Sequence, residues 1–137
     1  LDCFPHDPSQ IPQIGGYVAD VPYVRNFIRH TAPAWLDHVA LVSGFAPPER
    51  DSGFAWCDLG CGQGVTAAIL AATHPKASFH GIDAMPVHID SARRFASEAG
   101  IPNVSFHAAD FGSGSVSNPS ALADLKHSLA LRCDHAS

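Results

Sequence analysis

The chain has 137 residues, 46% hydrophobic and 15% charged, with eight Lys and Arg against thirteen Asp and Glu and a formal net charge of −5. One domain of that length holds enough apolar residues for a core, which excludes both a pair of ordinary domains and a disordered polymer. The acidic balance argues against nucleic acid or an anionic membrane surface as a main partner, and no apolar run reaches the about 18–20 residues that span a bilayer.

Residues 1–16 carry Pro5, Pro8, Pro12, Gly15 and Gly16 and read as an arm rather than a regular element. No basic-then-apolar leader precedes it, and a start at Leu1 rather than Met is expected of a processed or excised piece. A helical pattern begins near Pro22, with Val24, Phe27 and Ile28 at i, i+3, i+4. Thr31 as N-cap and Pro33 in the first turn open a second helix with Leu36, Val39 and Ala40 on one face; Gly44 stops it.

The middle of the chain alternates. Phe54–Leu59 is a short apolar run bounded by Gly53 and Gly60, as in a buried strand. A glycine loop, Gly60-Cys61-Gly62-Gln63-Gly64, leads into an Ala-rich helix from Val65 to Thr73. A second strand follows over Ala77–Ile82, closed by Asp83; a helix runs from Pro86 to a stop at Gly100; a third strand covers Val104–His107 and ends near Asp110. Strand–helix–strand–helix–strand with short connections predicts a parallel sheet with right-handed crossovers. Phe111–Ser120 is Gly- and Ser-rich and reads as a linker; Leu122, Leu125, Leu129 and Ala130 then fall at helical spacing. No fourth apolar strand is visible after Phe111.

Of four cysteines, Cys57 and Cys61 lie in the strand and the glycine loop, where thiols behave as small hydrophobes. They lack the second pair of a zinc site, so no metal is expected, and the usage suits a reducing compartment.

Three features converge on the carboxyl ends of three successive strands, the ligand-binding end of such a sheet. Asp58 precedes the glycines, whose backbone lets a ligand approach closely. Asp83 ends the second strand, placed to accept from ribose hydroxyls. Asp110 ends the third, placed to accept from an exocyclic amine, with Phe111 as an apolar contact. Together they indicate a nucleoside cofactor. Gly62-Gln63-Gly64-Val65-Thr66-Ala67 also spells G-x-G-x-x-A, a nicotinamide-type fingerprint. Against that, Asp58 would repel a pyrophosphate. A cationic ligand without phosphate suits it better, and S-adenosylmethionine is one.

Asp58 through Gly64 resembles the first motif of class I S-adenosylmethionine-dependent methyltransferases. Gly81-Ile82-Asp83-Ala84-Met85-Pro86 resembles their second-strand motif and Ala108-Ala109-Asp110-Phe111 their third. Gly15-Gly16-Tyr17-Val18-Ala19-Asp20-Val21-Pro22-Tyr23, followed by Trp35-Leu36, is similar to the N-terminal segment of bacterial proteins that join such a domain to a methyltransferase regulatory domain. The resemblance covers about residues 15–111. It implies a Rossmann-like α/β fold, a parallel sheet with helices on both faces, preceded by a helical segment and reduced here to about three strands.

It also implies roles. Gly60, Cys61, Gly62 and Gly64 would pack against the methionine end of the cofactor, with Asp58 near its amino group. Asp83 would bind the ribose, Ala84 and Met85 would line the adenine, and Asp110 with Phe111 would flank its amine. Tyr17 or Tyr23 would close over the site. No catalytic residue is assigned; His30, His80 and His107 stand as general-base candidates only by their presence.

The expected organisation is an arm over 1–16, a cofactor-binding domain over 17–111, and a linker with an amphipathic helix over 112–137. The region that usually positions the acceptor is missing or altered. Two expectations follow: the cofactor-binding half of a cytoplasmic methyltransferase acting on a small-molecule or protein acceptor, or a non-catalytic module that pairs its unfinished sheet with another chain, including a second copy of itself.

Overall fold

The computed structural model describes residues 13–14, 17–18, 24–50 and 53–109, with the backbone alone at 13–14 and 17–18. Two short strands, β1 (Gln13–Ile14) and β2 (Tyr17–Val18), pair antiparallel, Gln13 opposite Val18 and Ile14 opposite Tyr17. Gln13 and Ile14, within the arm expected over 1–16, therefore form a strand rather than irregular chain.

The helix expected from Pro22 is not seen at the described residues 24–28, which carry no helical turn. Their apolar spacing does not mark a buried face, since Val24, Phe27 and Ile28 are all exposed. Instead the segment is pinned by distant groups, as described below. A 3-10 turn, Arg29–Thr31, leads to α1 (Pro33–Val42). Pro33 takes the first-turn position, but Ala32 is the N-cap. The Thr31 hydroxyl donates instead to the Ile28 carbonyl at 2.9 Å. Gly44 ends α1 in the left-handed region (φ 82°), with Phe45 N–H returning to Ala40 O at 2.9 Å and Gly44 N–H to Leu41 O at 3.0 Å. This paired closure satisfies the last carbonyls of the helix. Leu36 and Val39 are exposed, so the apolar face of α1 is not buried among the described residues.

The main sheet has three parallel strands in the order β3 (Ala55–Leu59), β4 (Ser78–Asp83), β5 (Val104–Ala108). α2 (Val65–Thr73) and α3 (Pro86–Glu98) make the two crossovers. Both crossovers step in the same direction across the sheet, and crossovers of one hand then place both helices on the same face. That face holds the core: Trp56, Phe79 and Phe106 from the strands meet Ala67, Leu70 and Ala71 of α2 and Ile89, Ala92 and Ala96 of α3. The alanines let the helices approach closely. Covering the other face requires a reversal of strand order after β5. There Ile82 and Ala109 pack with Cys57 in a small separate cluster.

The connections are fixed by specific groups. Asn103 Nδ2 lies 3.0 Å from Ala71 O, 3.0 Å from His74 O and 2.9 Å from Ala77 O, which satisfies carbonyls at the end of α2. Gly100 (φ 64°) closes α3, with Ile101 N–H returning to Ala96 O at 3.0 Å. Trp56 is held against the N-terminal segment by its indole N–H, which donates to Thr31 O at 3.2 Å. The linker and amphipathic helix expected over 112–137 lie outside the described residues.

Candidate functional site at the carboxyl ends of the parallel strands

β3 runs out at Asp58 and Leu59, and the chain must then turn sharply to start α2 back along the sheet. Gly60 (φ 81°) and Gly64 (φ 71°) both take backbone conformations that L side chains rarely adopt. Gly60 N–H and Cys61 N–H both donate to Ile82 O, at 2.7 and 3.0 Å, so the loop continues the sheet's bonding onto β4. Gly62 N–H donates to Asp83 Oδ2 at 2.8 Å. Gly64 N–H returns to Cys61 O at 3.0 Å and closes the turn.

Gly64 has a second reason to lack a side chain. A Cβ there would stand 2.4 Å from Phe106 Cε1 and 2.6 Å from Ala92 Cβ. Gly81 sits under the same ring, with a Cβ position 2.6 Å from Phe106 Cδ1 and 2.9 Å from Cys61 Sγ. The Phe106 ring thus fills the space that two glycines leave. Gly60 differs, since a Cβ there would meet nothing within 4 Å among the described residues.

Asp83, the last residue of β4, is buried. Its Oδ1 accepts the Met85 N–H at 2.9 Å and lies 3.4 Å from His88 Nδ1. Each carboxylate oxygen therefore holds one backbone N–H and keeps further accepting capacity. His88 was not legible as part of this site. Its place beside Asp83 depends on the first turn of α3 folding back, which no local motif encodes.

Asp58 is different. It is half-buried, and among the described residues it has no hydrogen-bond or ion-pair partner. Burial and the negative charge of Asp83 push its carboxyl above the ordinary carboxylate range. Burial, with Asp83 and Asp58 behind it, also pushes the Cys61 thiol far up, and burial raises Cys57 as well. Both are free thiols that stay protonated, in keeping with a packing role. Among the described residues no three His, Cys, Asp or Glu side chains could together hold a metal ion.

The structure thus brings together Asp58, Gly60, Cys61, Gly62, Gly64, Asp83, Ala84 and Met85 around the ends of β3 and β4. Tyr17 lies in β2, with its side chain outside the described residues; Tyr23, Asp110 and Phe111 lie outside them altogether. The three histidines considered as bases sit elsewhere. His30 is on the 3-10 turn, edge-on to Trp35 at 5.1 Å. His80 and His107 stack at 6.1 Å, and His80 pairs with the Ser105 hydroxyl at 3.0 Å, on the sheet face away from α2 and α3.

A methyltransferase-domain family model matches residues 50–126, more than half of the chain, and the chain belongs to that family. An uncharacterized protein of Synechocystis is 35% identical over 91 residues, which are 66% of this chain and 18% of that protein. The tRNA (guanine-N(7)-)-methyltransferase of Rubrobacter xylanophilus is 33% identical over 89 residues, 64% of this chain and 40% of that enzyme. Among solved structures, PKMT2 from Rickettsia typhi in complex with AdoHcy superposes with a TM-score of 0.61 at 29% identity. The match covers 70% of this chain and 19% of that one. The chain therefore spans about a fifth of the length of the Synechocystis and Rickettsia typhi proteins.

Proposed function

We propose that the chain is the cofactor-binding part of an S-adenosylmethionine-dependent methyltransferase acting on a small-molecule or protein acceptor. One observation carries the reading: a half-buried carboxylate, Asp58, without a partner among the described residues, beside an open glycine loop and raised by the charge of a second carboxylate. Such a pair disfavours a pyrophosphate and favours a cation that neutralises Asp58. The family match and the AdoHcy complex of the similar Rickettsia typhi protein support the same cofactor.

In this reading Asp58 holds the ammonium-bearing end, and the open backbone at Gly60 admits the methionyl chain. Asp83 takes the ribose hydroxyls on its remaining lone pairs, with Ala84 and Met85 beside the adenine. Asp110 and Phe111 complete the adenine side. The bound cofactor supplies an electrophilic sulfonium methyl. The residues of this chain contribute alignment and exclusion of water, and the rest of a longer protein contributes the acceptor's own contacts. We also infer a bacterial-type protein from its bacterial relatives, and a reducing, cytoplasmic setting from the free thiols Cys57 and Cys61.

Calorimetry with AdoHcy tests the reading. The wild type should bind, and Asp83→Ala should weaken binding by about 1–3 kcal/mol, as for unpaired polar groups in a site. Binding of NADH in place of AdoHcy would refute it, and unchanged affinity in Asp83→Ala would remove Asp83 from the ribose role.

A further inference from the structure

Residues 24–28 pass over the start of α2 and are fastened there by side chains far away in sequence. Ile28 N–H donates to Thr66 Oγ1 at 2.9 Å, and the Thr66 hydroxyl lies 3.4 Å from Asn26 O. Arg25 makes the longest reach. Its Nε donates to Gln63 Oε1 at 2.5 Å and its Nη2 to Ser91 Oγ at 2.9 Å, so one guanidinium bridges the glycine loop and α3.

Gln63 is the residue between Gly62 (φ 53°) and Gly64 (φ 71°). A backbone of that kind is permissive and loses much freedom when it is fixed. The loop is tied to β4 on its first half by the Ile82 carbonyl and Asp83. The Gln63 side chain is a handle on its second half, gripped by Arg25, with the Ser91 hydroxyl also donating to Gln63 Oε1 at 3.5 Å.

We propose that Arg25 is a positioning residue for cofactor binding, holding Gln63 so that the glycine loop is set before the cofactor arrives. Preorganisation of this kind raises affinity by removing an ordering cost at the moment of binding. The N-terminal segment thereby becomes a determinant of the cofactor site without touching the cofactor. The proposal rests on the cofactor reading above for its affinity readout, and on geometry alone for its dynamic one.

The test is a double-mutant cycle on the full chain with Arg25→Ala, Gln63→Ala and the pair, followed by amide hydrogen exchange and AdoHcy calorimetry. Without AdoHcy, the Gly62 and Gly64 amides should exchange several-fold faster in each single variant and no faster still in the double. AdoHcy Kd should rise roughly three- to tenfold in each single variant, again without multiplying, with Arg25→Lys in between. Unchanged exchange in Arg25→Ala, or effects that multiply, overturns the clamp. Faster exchange with unchanged AdoHcy Kd overturns its service to the cofactor. If the variants exchange as expected but the wild type does not bind AdoHcy, the cofactor reading falls and the clamp on the loop remains.

Discussion

Three glycine-to-alanine substitutions separate a backbone cost in the glycine loop from overlap with the Phe106 ring. Gly60 has a left-handed φ of 81° and open space at Cβ, so Gly60→Ala meets only the backbone cost, about 1–2 kcal/mol. Gly81 lies within β4 and has no such φ, but its Cβ would stand 2.6 Å from Phe106 Cδ1 and 2.9 Å from Cys61 Sγ. Gly81→Ala therefore meets only overpacking, about 1–3 kcal/mol. Gly64 combines a φ of 71° with overlap against Phe106 and Ala92, so Gly64→Ala should cost the sum, about 2–5 kcal/mol. That is a large share of a typical domain's stability of about 5–15 kcal/mol.

Urea unfolding of the three variants ranks the costs. Phe106→Leu provides the internal control. It should relieve part of the penalty of Gly81→Ala and none of that of Gly60→Ala, a coupling visible as non-additivity. If Gly60→Ala costs as much as Gly64→Ala, the overlap at Phe106 is not what reserves the position for glycine. If Phe106→Leu adds independently to Gly81→Ala, the packing argument fails.

The raised carboxyl of Asp58 means that the fold disfavours its charged form. Stability should fall as pH rises from the ordinary aspartate range through the raised value, leaving a constant penalty above it. Asp58→Asn should then raise the urea midpoint of the ligand-free protein at pH 7 while weakening AdoHcy binding; a lowered midpoint would contradict this. Cys61 should alkylate at least about tenfold more slowly than a free thiol at pH 8, by peptide mapping, because its thiolate is strongly disfavoured. Equal rates would place it in a more open setting. Arg93 donates to the Phe106 carbonyl through Nε at 3.1 Å and Nη2 at 2.8 Å, on the strand that lies at the sheet's edge among the described residues. Arg93→Ala should cost about 1–2 kcal/mol and promote self-association through the freed edge. Sedimentation velocity showing no added association in the variant would argue against an edge-blocking role.

The parallel sheet was legible because its signals are local: apolar strands of five or six residues, glycine stops, and prolines at helix starts. Asp58, Asp83 and the glycine loop were legible for the same reason, since a strand end followed by a turn is written in consecutive residues. The segment 24–28 was not. Val24, Phe27 and Ile28 have the spacing of a helix, yet the conformation is set by Thr66, Gln63 and Ser91, about 40 to 65 positions away. Such side-chain anchoring leaves no periodic trace. His88 escaped for a related reason, since its link to Asp83 depends on how α3 leaves the strand. Asp58 could be placed from the motif, but its lack of a partner among the described residues is a fact of three-dimensional packing.

The Ile82 carbonyl, which accepts from both Gly60 and Cys61, has a consequence for how a ligand is measured. It welds the loop to β4, and the next residue along β4 is Asp83, whose carboxylate in turn grips Gly62. The contacts proposed for the methionyl end and for the ribose therefore belong to one stiff body, with a fixed gap between them. A molecule that supplies only one of those ends gains half the grip, and one whose ends are spaced differently cannot seat both. In the proposed reading the site would act as a gauge of length, calibrated by the Ile82 carbonyl together with the Asp83 carboxylate.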